Sequence, residues 1–451
     1  MNLPMLTRAV AVAAVAFAIL LPISMIGGKI AERQHRAQAV VADFASETSG
    51  PQLVLGPLLA LTCQETFVEE RQVMRAGKAE TIAEKMTKSC PMAFFSPRRF
   101  TARAAMPVES RHRGIYSIGL YRAELEMDAQ LAWPEPPSPN GINPRTWKQA
   151  YLVMYVRDPR GIKAISSSGS SALLAGPGES GLAQFPVREH LGDYASRKAG
   201  TPLPVSYRMS LVGTSSLQIA PVGDANEIRL RSDWPHPSFS GAWSPDERAI
   251  TSGGFEAAWR IASVATGGEA AWNRIASEGS IANVAGAGVF LFDPVNIYAL
   301  SHRATEYAFL FVLFTFGALA LTEAIASVRL HAMQYALVGS AIAVFFLLLL
   351  ALSEHVRFPW AYAMGAGACV LLLTFYLRHP LGTLRRTAAF FGIFVGLYGS
   401  LYVLLLSEDS ALLLGSLMVF FLLAIAMIAT RRLDWSAVSA RMSALRIPAR
   451  A

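Results

Sequence analysis

The chain has 451 residues, 53% hydrophobic and only 16% charged, with a mean hydropathy of +0.36. A charged fraction so far below the ~25% usual for soluble domains excludes an ordinary water-soluble globular protein. The net charge of +8 does not mark a nucleic-acid binder, because Lys29–Glu306 holds 29 basic against 27 acidic residues. The flanks hold the other 11 basic and 5 acidic residues, so the excess lies beside apolar runs, and the partner it implies is a lipid bilayer.

In chain order, residues 1–8 are a short N-terminal segment ending in Arg8, expected to be cytoplasmic. Ala9 to Gly28 is uncharged between Arg8 and Lys29, and at 1.5 Å per residue it is long enough to cross ~30 Å of hydrocarbon. A cleavable secretory signal is the competing reading. Its apolar core would run ~7–15 residues and end in alternating small residues; here the run is longer, and Ile26 interrupts Ser24–Gly28. An uncleaved anchor is therefore expected, although Lys29, Arg33 and Arg36 lie just past the exit side, where positive charge is disfavoured.

Residues 29–306 read as one exported, β-rich domain. Val40–Phe44 continues the helix of the anchor, and β signals dominate from Leu53 onward, with Gly56-Pro57 opening a run. Tyr116–Gln130, Val205–Leu211 and Asn226–Arg231 mix or alternate apolar and polar residues, and Ala150–Val156 reads as a buried strand. Trp133–Pro144 and Ser166–Gly181 are loops by their Pro, Gly and Ser content. These patterns predict a mainly antiparallel β domain, sandwich-like, with one helix near Phe255–Ala265. Cys63 and Cys90 fall in this region. Either they close a loop as a disulfide, worth roughly 3 kcal/mol, or they are two buried thiols.

Five apolar runs follow: Tyr307–Val328, Tyr335–Ser353, Phe358–Leu377, Thr387–Ser407 and Ala411–Thr430. Their lengths and short polar breaks predict a five-helix transmembrane bundle. Arg329, then Arg378, Arg385 and Arg386, and the arginines of tail 431–451 occupy alternate breaks with the tail; the other breaks hold Arg357 with Glu354, Glu408 and Asp409. The positive-inside bias then makes both termini cytoplasmic and residues 29–306 periplasmic. Ser353-Glu354 and Ser407-Glu408 are 54 residues apart, as are Arg378 and Arg432, which suggests two copies of one helical hairpin.

No nucleophile elbow, phosphate loop, Cys-x-x-Cys or His-Glu-x-x-His motif occurs, so neither a catalytic site nor a cofactor or metal is expected. His236 sits between prolines near Asp233 and Trp234; with no second ligand at metal spacing, a rigid loop is the plainer reading. The Asp158-Pro-Arg160-Gly161 and Arg113-Gly114 pairs are expected to make turns and ion pairs. Glu323 is the acid clearly inside an apolar run, which makes it a functional candidate by default. Only six residues, about 9 Å along a helix, separate it from Arg329, so snorkelling to the interface competes. Glu354 and Glu408 lie at span ends, where solvated or interfacial positions are expected. Small residues four apart (Gly392, Gly396, Ser400; Ala361, Gly365, Cys369) read as close helix contacts.

The stretch Ser232–Arg248 (Ser-Asp-Trp-Pro-His-Pro-Ser-Phe-Ser-Gly-Ala-Trp-Ser-Pro-Asp-Glu-Arg), with Trp234, His236 and Phe239, followed by Gly254–Trp259, resembles the CreD family of inner-membrane proteins, the cell-envelope-integrity or colicin-tolerance family. The resemblance extends through Arg113–Tyr116, Asp158–Ile162, Leu211–Gly223, Phe292–Val295, Arg303–Thr305, Arg329–His331, Gln334-Tyr335, Ser353–His355 and Ser407–Asp409. Departures are the long segment Gln64–Arg99 with its cysteine pair, and Ala332 where proline is expected. The resemblance implies a non-enzymatic role in envelope integrity or the cell-wall stress response, with envelope or cell-wall proteins as expected partners. A transporter or lipid-handling protein using the bundle is the alternative.

Overall fold

The computed structural model describes residues 3–75, 78–135, 145–168, 173–174, 182–239, 241–278, 281, 284–291, 297–326, 330–407 and 410–431. Two compact units emerge: Val40–Pro294, and Met1–Ala39 with Val295–Ala451.

The chain opens with helix α1 (Leu3–Glu47), whose apolar first half passes into a charged second half. Lys29, Glu32 and Arg36 pair along that second half at helical spacing. The helix therefore continues well beyond the Ala9–Gly28 run.

The first unit carries strands β1 (Gln52–Arg75), β2 (Lys78–Phe95), β3 (Arg99–Ala105), β4 (Val108–Arg113), β5 (Tyr116–Ala132), β6 (Arg145–Val156), β7 (Ile162–Ser167) and β8 (Leu173–Leu174). After these come β9 (Val187–Asp193), β10 (Pro202–Thr214), β11 (Ser216–Ile219), β12 (Ala225–Ser232), β13 (Pro237–Ser238), β14 (Glu247–Thr251), β15 (Gly254–Ala262) and β16 (Ala287–Leu291). One sheet runs β13-β16-β11-β1-β6-β9-β8 with β2 added on β1; the other runs β14-β15-β12-β3-β5-β10-β7 with β4 added on β5. Pairing is antiparallel except for β1 with β11 and β12 with β3. Residues of both sheets share one hydrophobic core, so the unit is a sandwich.

Strand β5 shows why these residues form a sheet. Tyr121, Ala123, Leu125, Met127, Ala129 and Leu131 are buried, while the intervening Arg122, Glu124, Glu126, Asp128 and Gln130 face out. Strand β1 differs: Leu53–Leu61 is buried throughout, as befits a central strand between β11 and β6. Beyond Glu65, β1 pairs only with β2, so Thr66–Arg75 and its partner form a two-stranded arm, whose side chains at 66–70 and 81–90 are mostly exposed.

One expectation fails here. Phe255–Ala262 is strand β15 rather than helix, and helix begins only at α2 (Ser263–Thr266), followed by α3 (Gly268–Glu278). Phe255, Ala257, Trp259 and Ile261 are buried in alternation, so the period-2 burial overrides the Ala-rich composition.

In the second unit, α4 (Ile297–Glu306) and α5 (Ala308–Ala326) form a pair bent by 44°, followed by α6 (Ala332–Ser353), α7 (Phe358–Leu381), α8 (Leu384–Leu406) and α9 (Ala411–Thr430). Residues 297–306 thus belong with the helices, where Leu300 and Ala304 join the bundle core. Counting the bent pair as one, six helical spans are long and apolar enough to cross a membrane among the described residues.

Aromatic edges knit α5 to α8. Tyr398 meets Phe311 at 4.5 Å and Phe345 at 4.8 Å, and its carbonyl accepts the Tyr362 hydroxyl at 2.6 Å. The first helix is bound to this bundle at Gly339, where an added Cβ would sit 2.6 Å from Ile19 Cγ1. At Gly365 an added Cβ would lie 3.6 Å from Phe345, as expected of a close helix contact; at Gly392 and Gly396 nothing lies within 4 Å, so that expectation fails for α8. Helix α6 starts at Ala332 without the expected proline. His331 serves as its N-cap, and the Gln334 carbonyl accepts the His331 N–H at 2.8 Å in a capping box.

Candidate functional site

The most elaborate polar constellation in the sandwich grips the end of α1. Helix ends leave carbonyls without intrahelical partners, and a cation placed there is favoured. Arg160 fills that role, donating to the carbonyls of Ala45 and Ser46. Its guanidinium is held by Asp158, with Nη2 to Oδ2 at 2.7 Å and Nε to Oδ1 at 2.9 Å. Arg113 adds a second grip by donating to Glu47 Oε1 at 3.2 Å from both terminal nitrogens. The Asp158–Gly161 and Arg113 motifs thus converge on one helix terminus, 108 residues from Gly50 in the first case.

Behind this lies Gln52, fully buried. Its Nε2 lies within donating reach of Ser49 Oγ (2.5 Å), Asp158 O (3.0 Å) and Val212 O (3.3 Å), and its Oε1 accepts the Asp158 N–H (3.2 Å). Gly50 N–H donates to Asp158 Oδ2 at 3.1 Å, and Thr214 Oγ1 donates to Ser49 O at 3.2 Å. The packing is tight enough to demand glycine at 161, where a Cβ would fall on Val212 O and 2.7 Å from Ser49 Oγ. The Arg160 side chain above all, then the Gly50 and Arg160 N–H groups, holds the Asp158 carboxyl down at about 2. This arrangement fixes the end of a helix to a sheet.

A second cluster lies at the end of α6. Glu354, whose side chain is 12% exposed, lies 3.8 Å from Arg33 Nε and accepts the Tyr298 hydroxyl at 3.4 Å. Of the two positions expected for it, solvated or interfacial, the paired one at a helix end fits the second: a cation from α1 and a phenol from α4 both meet its Oε1. The same contact accounts for Arg33, a positive charge past the exit side of an anchor: it lies at the same end of the bundle as the α6 C-terminus.

Glu323 accepts the Tyr335 hydroxyl at 3.3 Å, and Tyr335 is itself packed edge-on against Phe316 at 5.3 Å. The carboxylate therefore meets α6. Glu408 and Asp409, with Arg329 and Arg432, and with them part of the hairpin repeat, lie outside the described residues.

Trp234 and Phe239 pack against the sandwich core, with His236 between them in sequence. The Trp234 indole N–H donates to the His236 carbonyl at 3.0 Å, and the His236 ring is exposed. Phe239 packs edge-on against Phe255 at 5.5 Å and Trp259 at 5.9 Å. Among the described residues, no group of three or more His, Cys, Asp or Glu is arranged to hold a metal ion. Sequence reasoning did not find Gln52, whose partners on Asp158 and Val212 are more than 100 residues away.

Cys63 and Cys90 face each other in the β1–β2 register with Cα atoms 5.2 Å apart, joined as a disulfide at the base of the arm. In protein purified with thiols blocked, non-reducing digestion should release a linked Cys63–Cys90 peptide. Recovery of both cysteines alkylated without prior reduction would show that the bond does not form.

A sandwich clamped to the end of a long helix and a set of crossing-length helices define a multi-pass membrane protein carrying a β domain. A family model described as "Inner membrane protein CreD" matches residues 4–436. The chain is also 31% identical over 435 residues to the inner membrane protein CreD of Escherichia coli (strain K12), covering 93% of this chain and 91% of that relative. The chain belongs to the CreD family of inner membrane proteins. No solved structure matches it.

Proposed function

We propose that this protein supports cell-envelope integrity, or the response to cell-wall stress, without catalysing a reaction. In this reading the sandwich faces the periplasm, where envelope or cell-wall proteins are its partners, and both termini lie in the cytoplasm. The observation that carries the reading is the clamp: Gln52, Asp158 and Arg160 hold the last turn of α1 to the sandwich, a structural use of the domain's polar groups. The name of the relative states a location and no reaction. Orientation is supported by the basic loops and by the Arg33–Glu354 contact, which brings the end of the anchor to the end of α6.

Labelling tests this arrangement. In a background lacking Cys63, Cys90 and Cys369, a cysteine at exposed Thr251 should react with an impermeant maleimide once the outer membrane is opened. A cysteine at exposed Thr383, between α7 and α8, should react only after the inner membrane is breached. The reverse pattern would overturn the orientation and, with it, a periplasmic role.

The alternative, a transporter or lipid-handling protein, is favoured by one observation: the Glu323 carboxylate is turned onto Tyr335 of a neighbouring helix.

A further inference from the structure

At the end of the bundle where α6 begins and α7 ends, Gln334, Phe375, Tyr376, Arg378, His379 and Gly382 help to enclose a pocket of about 560 Å³. Among the described residues, no acidic side chain lines it. The lining is graded along the helix axis. Phe375, 76% exposed, lies on the apolar body of α7, and Arg378 stands three residues further on, on the same face. His379 follows, and Gln334 approaches from α6. The Gln334 carbonyl is already engaged by the His331 N–H, which leaves its NH2 to donate. A ligand that satisfies this lining needs an anionic, hydrogen-bond-accepting head beside an apolar body.

We propose that the pocket binds the phosphate headgroup of an anionic phospholipid, with Arg378 as the principal cation and Phe375 and Tyr376 against the first part of its acyl chain. A guanidinium presents paired donors that match phosphate oxygens. Basic pockets between membrane helices are suited to such headgroups. The aromatic half of the lining is what separates this ligand from a soluble phosphate, which would gain nothing from it.

The test uses the full-length protein in detergent, with lipid adducts counted by native mass spectrometry. Phosphatidylglycerol should be retained over phosphatidylcholine of the same chains. Arg378→Gln should weaken that retention about fivefold, the effect of one cation near the surface. Arg385→Gln removes another exposed charge that does not line the pocket, and should leave retention unchanged. Excess inorganic phosphate should not displace the lipid. Equal retention of the two lipids, equal losses in the two variants, or displacement by phosphate would each overturn the proposal.

Discussion

Replacing Gln52 by Leu should lower the thermal midpoint of the purified full-length protein by about 6–12 °C. The side chain is fully buried and serves four partners. Leucine fills much of the volume but leaves the Asp158 N–H and C=O, the Val212 carbonyl and the Ser49 hydroxyl without it. Orphaned buried groups of this kind cost about 1–3 kcal/mol each where no water reaches them, and some will find other partners, so about 3 kcal/mol in total is a reasonable expectation. For a unit of this size, each kcal/mol moves the midpoint by about 2–4 °C. Gln64→Leu makes the same chemical change on an exposed stretch of β1 and should shift the midpoint little. Equal shifts in the two variants would contradict the clamp. Acid sensitivity carries the same signature. The Asp158 carboxyl titrates at about 2 in the fold against an ordinary 3.8, so its contribution is present above pH 4 and is lost as pH falls from 4 towards 2. An Asp158→Asn variant should therefore trail the wild type at neutral pH and approach it as pH falls through that window.

Trp259→Ala should be the most damaging single truncation in the sandwich core. The indole is fully buried, meets Phe239 edge-on at 5.9 Å, and donates its N–H to the Trp243 carbonyl at 3.1 Å. Emptying such a site costs about 3–5 kcal/mol, a large part of the stability of an ordinary domain. The expected result is faster trypsin cleavage within residues 182–291 and lower abundance in membranes. Phe239→Ala acts on the same cluster from its rim and should have a smaller effect in the same direction. An unchanged cleavage pattern for Trp259→Ala would mean that this aromatic cluster does not hold the edge of the sandwich.

The helices were readable because lipid leaves little choice: a run of about 20 apolar residues has to satisfy its backbone within itself. Strands β5, β10 and β12 were readable because one face is buried and the other wet, which prints alternation into Tyr116–Gln130, Val205–Leu211 and Asn226–Arg231. In the arm of β1 and β2 the side chains at 66–70 and 81–90 are mostly exposed on both faces, so Gln64–Arg99 carries no such pattern. Strand β15 misled for the opposite reason: Glu256, Ala257 and Ala258 are good helix formers, and only the pairing with β12 and β14 makes them a strand. The clamp was half legible. Its motifs, Asp158–Gly161 and Arg113-Gly114, stood out as turns and ion pairs, and they are. That both reach the end of α1, and that Gln52 joins them, depends on partners far apart in sequence, which local periodicity cannot report.

The tethered sandwich, not a charge moving in the bundle, is proposed to carry the function. Glu323→Gln tests it most directly, because it keeps the shape of the side chain and its contact with Tyr335 while removing the charge. A strain lacking the protein is challenged with a cell-wall stress and resupplied with wild type, Glu323→Gln or Gln52→Leu, with membrane abundance matched by blot. Glu323→Gln should restore survival as wild type does, and Gln52→Leu should not. Loss of rescue by Glu323→Gln at full abundance would contradict this account and assign the function to the bundle.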